Sequence, residues 1–153
     1  MSKKFAFRLQ PVLDHRQRIE DEKKQTVALR RKACDEAQAE LDRLNAEFRE
    51  QSALVRTRHH EFDAETLRAH YGHLHFLDRV IDAQIRILAE RRAALERAQQ
   101  DLMAAQKDRK VVDKLKDRRK AAYVAEEMRI EQGELEDANA RAYGRAQRIG
   151  GTQ

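Results

Sequence analysis

Eight Lys or Arg and three Asp crowd into Lys107–Lys120, KDRKVVDKLKDRRK, whose net charge of +5 equals that of the whole chain. Such a band can neutralise phosphate, steer an acidic protein surface or simply solvate a helix face, which is its commonest use. It contains no aromatic side chain on which a base could stack, so nucleic acid is the weakest of these readings. Val111 and Leu115 lie one turn apart within it. They offer two apolar anchors inside a field made by Arg109, Lys110, Lys114, Arg118 and Arg119, as a protein-binding surface requires.

Five of the six histidines cluster as His59, His60, His70, His73 and His75. His70 and His73, three residues apart, would share a helical face as metal ligands do. No cysteine is near them and no H-E-x-x-H pattern occurs, so a polar, exposed tip accounts for them better than a metal site. Cys34 is the only cysteine. It can form no internal disulfide, which suits a reducing compartment. It lies on an apolar stripe with no base beside it, as a small core residue would. The five glycines are scattered or terminal and build no phosphate loop. We expect no enzyme, no cofactor, no metal and no small-molecule substrate.

The elements that carry these residues are long helices. Between Pro11 and Gly133 the only helix breaker is Gly72, which leaves two sixty-residue stretches, Val12–Tyr71 and His73–Gln132, free of proline and glycine. Ordinary helices run about 11–12 residues, and long ones must hide an apolar stripe against one another. Charged residues make up 39% of the chain and aromatics 5%, too little bulk for a wide core and typical of coiled coils. Disorder would also explain the charge, but both signs alternate and the apolar residues are periodic. No apolar run approaches the ~20 residues of a membrane span. The first seven residues lack the apolar stretch of a signal peptide, which points to the cytoplasm.

Every seventh residue from Ala6 reads Ala6, Leu13, Glu20, Val27, Cys34, Leu41, Phe48, Val55, Phe62 and Ala69, and nine of these ten are apolar. A second stripe, Leu67, Leu74, Ile81, Leu88, Leu95 and Leu102, is apolar throughout but five residues out of phase. Coiled coils absorb insertions of three or four, not five, so the seam stops and restarts. The chain is expected to be all-α, one long antiparallel two-helix coiled-coil hairpin. Helix one spans about 5–62, the turn about 62–69 with Asp63 or Thr66 as cap, and helix two about 70–147, ahead of a disordered tail at about 148–153. Folding near residue 66 pairs residue i with residue 132 − i. Both stripes then weaken at one level, at Arg16, Glu20 and Lys23 on one helix and Arg109 and Lys116 on the other. Helix two should overhang beyond about Met128, where Val124, Met128, Leu135, Ala138 and Ala142 continue an apolar face with no helix opposite.

The opening Phe7-Arg8-Leu9-Gln10-Pro11-Val12-Leu13-Asp14, followed by Arg16, Arg18 and Glu20, resembles that of the flagellar export protein FliJ family. Tyr71, Leu74 and Leu77 are similar to the family's opening of helix two. Lys114-Leu115-Lys116-Asp117-Arg118-Arg119 resembles its basic K-L-K-E-R segment, with Asp117 where Glu is usual. Glu131-Gln132 and Leu135-Glu136-Asp137 are similar to its closing E-Q and L-D-E motif, the last with its acids in reversed order. The resemblance implies a soluble, non-enzymatic component of the flagellar type III export apparatus, the ATPase stalk, with the stalk subunits of rotary ATPases as its structural counterpart. Its partners would be the hexameric flagellar export ATPase, the cytoplasmic domain of the export gate and the export chaperones. It would be a monomer when free, in the cytoplasm and peripherally at the inner face of the cell membrane at the flagellar base. On this reading Arg109, Lys110, Val111, Lys114, Leu115, Arg118 and Arg119 meet the ATPase, and Tyr71, Leu74 and Leu77 the export gate. The stalk of a virulence-type secretion system, a generic coiled-coil scaffold that dimerises in trans and a nucleic-acid-binding coiled coil are the alternatives.

Overall fold

The structure, a computed structural model, describes residues 3–151. It is all-helical, two long helices packed against each other as a coiled-coil hairpin. Helix α1 spans Gln10–Arg58 and α2 spans Ala64–Gly150, with a 3-10 turn at His59–Glu61 between them. Helix α1 starts where proline is tolerated, since Pro11 sits in the first turn, whose N–H groups have no intrahelical acceptor. The Gln10 amide donates to the Phe7 carbonyl at 3.0 Å. The residues before Gln10 are not helical, so helical spacing does not govern them. Phe7 is buried there and Ala6 is exposed, the reverse of the expected stripe.

The reversal comes earlier than about 62–69. Helix α1 ends at Arg58, Phe62 is extended at φ −97 and ψ 142, and the Thr66 amide donates to Asp63 Oδ1 at 2.7 Å. Asp63, not Thr66, is therefore the cap that fixes where α2 begins. The Phe62 ring lies 4.7 Å from the ring of His70 across this corner. Hydrogen bonds from the Thr66 side chain and backbone hold the Asp63 carboxyl below its ordinary value. A folded pKa below the unfolded one gives stability that is present above the usual carboxylate range and lost as pH falls through the folded value. Asp63→Ala should thus melt below wild type at neutral pH, and the gap should close in acid. A gap of constant size from pH 7 to pH 3 would show that the carboxylate charge contributes nothing.

By their contacts the residues form two units, Arg18–Gln106 and Met1–Gln17 with Lys107–Gln153. In the first, Val27, Cys34, Ala37, Leu44 and Val55 of α1 and Leu77, Leu88, Ala98 and Ala105 of α2 are buried. Leu67, Leu74, Ile81, Leu95 and Leu102 are half-buried. The seam thus has a second row three residues beyond the expected one (Leu74 then Leu77, Leu95 then Ala98, Leu102 then Ala105), as knobs-into-holes packing needs. Its alanines do not stand out as a stripe because alanine is common everywhere in this chain. Glu20, expected at a weak point, is instead 3% exposed, with Lys24 Nζ at 3.2 Å. The pairing differs as well. Glu47 meets His73 at 3.4 Å and the Ala37 carbonyl accepts from Gln84 Nε2 at 3.0 Å, whereas folding near residue 66 would place residues 85 and 95 there. The earlier turn accounts for the direction of this offset. On the outer surface Arg43 bridges Glu40 at 2.7 Å and Glu47 at 3.3 Å along α1.

In the second unit Phe7 and Leu13 are buried, and Arg16 reaches Asp108 at 3.4 Å. The non-helical N-terminal segment lies along α2: the Tyr123 hydroxyl donates to the Lys3 carbonyl, and the Phe5 and Tyr123 rings are 5.6 Å apart. Among the described residues the N-terminal segment meets α2 as far as Tyr123, and α2 runs on beyond it. It continues to Gly150, across part of the segment expected to be a disordered tail; Thr152 and Gln153 of that tail lie outside the described residues.

Candidate partner-binding surfaces

At 3.6 residues per turn the basic band of α2 divides into three faces. Val112, Arg119 and Tyr123 share the face turned to the N-terminal segment, where the Arg119 guanidinium lies 5.9 Å above the ring of buried Phe7. One flank presents Val111, Lys114, Leu115 and Arg118. Val111 is 68% exposed and Leu115 half-buried. The other flank presents Arg109, Asp113, Lys116 and Lys120, with Arg109 Nη1 at 2.5 Å from Asp113 Oδ2. Four of the seven residues expected to form one basic surface are therefore brought together, Val111, Lys114, Leu115 and Arg118, with Lys110 beside them. Arg109 stands on the opposite flank beside Asp113. Arg119 is exposed and stands over Phe7, on the face turned to the N-terminal segment. Sequence spacing alone separates these flanks; what it lacks is the seam's position, which depends on the non-helical N-terminal segment.

At the other end Tyr71 is 50% exposed and Leu74 half-buried, and the two line both of a pair of shallow grooves beside α1. Val55 and His59 complete one groove, Phe48 and Asp78 the other. Leu77 is the most deeply buried side chain, at 2% exposure. It lies in the seam core, so of these three residues Tyr71 and Leu74 are the ones that line the surface grooves. Phe76 is exposed and stacks on His73 at 6.3 Å between ring centroids. It falls on neither seam row, so periodicity does not single it out.

The histidines are dispersed over this end. His73 faces Glu47, His70 packs on Phe62, and His59 meets His60 edge-on at 5.7 Å. Among the described residues no group of three or more His, Cys, Asp or Glu is placed to hold a metal. Cys34 is a free thiol buried in the seam. Among the described residues no helix is long and apolar enough to cross a membrane.

The profile of the family described as flagellar FliJ protein matches residues 5–148, nearly the whole chain. The chain belongs to the FliJ family. Membership makes it a component of the flagellar export apparatus, in a family that is generally structural rather than catalytic and is associated with the export ATPase. No curated protein and no solved structure matches it significantly.

Beyond Tyr123 the FliJ-family chain exposes Val124, Met128, Ile130 and Leu135, Met128 at 65%. Val124, Met128 and Leu135 fall on one helical face, at steps of four and seven residues. A single helix without tertiary packing is marginal in water. Hydrogen exchange should accordingly find fast amides at Met128–Ala142 and slow ones at Ile81–Leu102. Equal protection in the two regions would show that the overhang is already held by something in the free protein.

Proposed function

We propose that the chain is the coiled-coil stalk that binds and stimulates the hexameric flagellar export ATPase and couples it to the cytoplasmic domain of the export gate and to the export chaperones. The observation that carries this reading is the end of α2, a helix with an exposed apolar face beyond Tyr123, directly after a basic flank of Val111, Lys114, Leu115 and Arg118. An apolar helix end suits insertion into the centre of a ring, and the flank suits an acidic rim. Charge complementarity guides association and orientation, and the apolar side chains hold the contact. Tyr71 and Leu74, beside buried Leu77 in sequence, are the surface we assign to the export gate. The chain would thereby work peripherally at the inner face of the membrane, at the flagellar base.

The test is charge reversal on the exposed flank. Lys114→Glu with Arg118→Glu should retain full helicity and thermal stability, because neither side chain enters the seam. Stimulation of the ATPase should fall several-fold, with association slowed most at low salt. Full stimulation by a folded double variant would place the ATPase contact elsewhere on the chain.

A further inference from the structure

A groove runs along the second flank of α2, away from Val111 and Arg118. Its floor and one wall are the N-terminal segment, Phe5, Ala6 and Phe7, and its other wall carries Lys116 and Lys120, with Lys4 at the rim. The groove is built in advance of any ligand. The Gln10 amide donates to the Phe7 carbonyl, Tyr123 donates to the Lys3 carbonyl with its ring tilted against Phe5, and the Arg119 guanidinium lies over Phe7. Its charge is unbalanced in one direction. Arg16 and Arg109 of the same unit have Asp108 and Asp113 beside them. Lys4, Lys116 and Lys120 have no ion-pair partner among the described residues. Three ammonium groups around an aromatic floor fit carboxylates that flank an apolar side chain.

We infer that this groove seats a short acidic segment of a protein partner, with an apolar side chain laid against Phe5 beside Phe7 and carboxylates on Lys4, Lys116 and Lys120. The length of the ligand follows from the charge that comes next. Glu126–Asp137 holds six acidic residues and one Arg, a net charge of −5 that begins less than two turns after Lys120. A long polyanion such as a nucleic acid, or an anionic membrane, would have to lie against that acidic stretch. A short peptide segment ends before reaching it. The pre-formed walls lower the ordering cost of binding. This site is independent of the ATPase contact proposed above, which lies on the opposite flank.

The experiment uses the full chain and a fluorescein-labelled probe peptide with Leu and Phe at helical i, i+3 spacing and Glu elsewhere. A counterpart carries Lys in place of every Glu. Anisotropy should show saturable binding of the acidic peptide and none of the basic one. Lys116→Glu with Lys120→Glu should weaken binding about tenfold or more, while Lys114→Glu with Arg118→Glu should leave it within about twofold, both variants keeping wild-type helicity. The inference is overturned if the acidic peptide fails to bind wild type, or if the two double variants lose binding equally. It is also overturned if phosphatidylglycerol vesicles bind more tightly than the peptide, or if the chain self-associates and the peptide disperses it, since the occupant is then lipid or a second copy. Loss of ATPase stimulation in Lys114→Glu/Arg118→Glu with peptide binding intact separates this site from the other.

Discussion

Leu77→Ala should cost about 2–5 kcal/mol of folding stability, the range for truncating a buried leucine in a packed core. Leu77 is the most completely buried side chain of the described residues, and Leu88, at 5% exposure, is close behind. Both sit in Arg18–Gln106, where the seam rows of α2 meet Val27, Cys34, Ala37, Leu44 and Val55. Ile81→Ala and Leu95→Ala, at half-buried positions, should cost less. His59→Ala and His60→Ala, exposed at the turn, should stay within about 0.5 kcal/mol. Urea denaturation of the series reads the order directly. Losses below about 0.5 kcal/mol at both Leu77 and Leu88 would mean that the hairpin seam is not what stabilises the protein.

Leu77 also marks where the sequence is legible and where it is not. The two helices, their antiparallel pairing and the five-residue phase break follow from periodicity alone, because a long helix without a buried stripe has no reason to persist. Register does not follow, since it depends on the residue at which the chain turns. That residue is set by one carboxylate, Asp63, receiving the Thr66 amide, and several Asp, Ser and Thr in the chain could have served. The second seam row is hidden because Ala98 and Ala105 carry no hydropathy contrast in an alanine-rich chain. The candidate surfaces are half legible. Lys107–Lys120 stands out as charge and helical spacing separates its flanks, but which face is covered depends on Phe5 and Phe7 reaching α2 near Tyr123, a contact between residues more than a hundred positions apart. Leu77 stands among the partner contacts on sequence grounds because its motif is legible while its burial is not.

Glu20→Leu should raise the stability of the hairpin, because it removes the desolvation cost of a buried carboxylate. Glu20 occupies a seam position between Leu13 and Val27 and is 3% exposed, while Lys24, its neighbour one turn along, has half its side chain in water. Moving a carboxylate out of water costs several kcal/mol, and even a well-paired one returns that only with excellent geometry. Leucine would continue the apolar row, and the Lys24 ammonium, already half in water, stays solvated. What the carboxylate contributes is discrimination. With a leucine between Leu13 and Val27 the row would look alike at each heptad, so sliding α2 by seven residues would be penalised less than with a charge that must find its place. Spin labels at Glu47 and His73, which meet in the native register, should report one short distance in wild type. In Glu20→Leu they should report a second, longer one, together with a higher urea midpoint. A lower midpoint with a single short distance would overturn the argument, because the buried carboxylate would then stabilise the seam rather than only select its register.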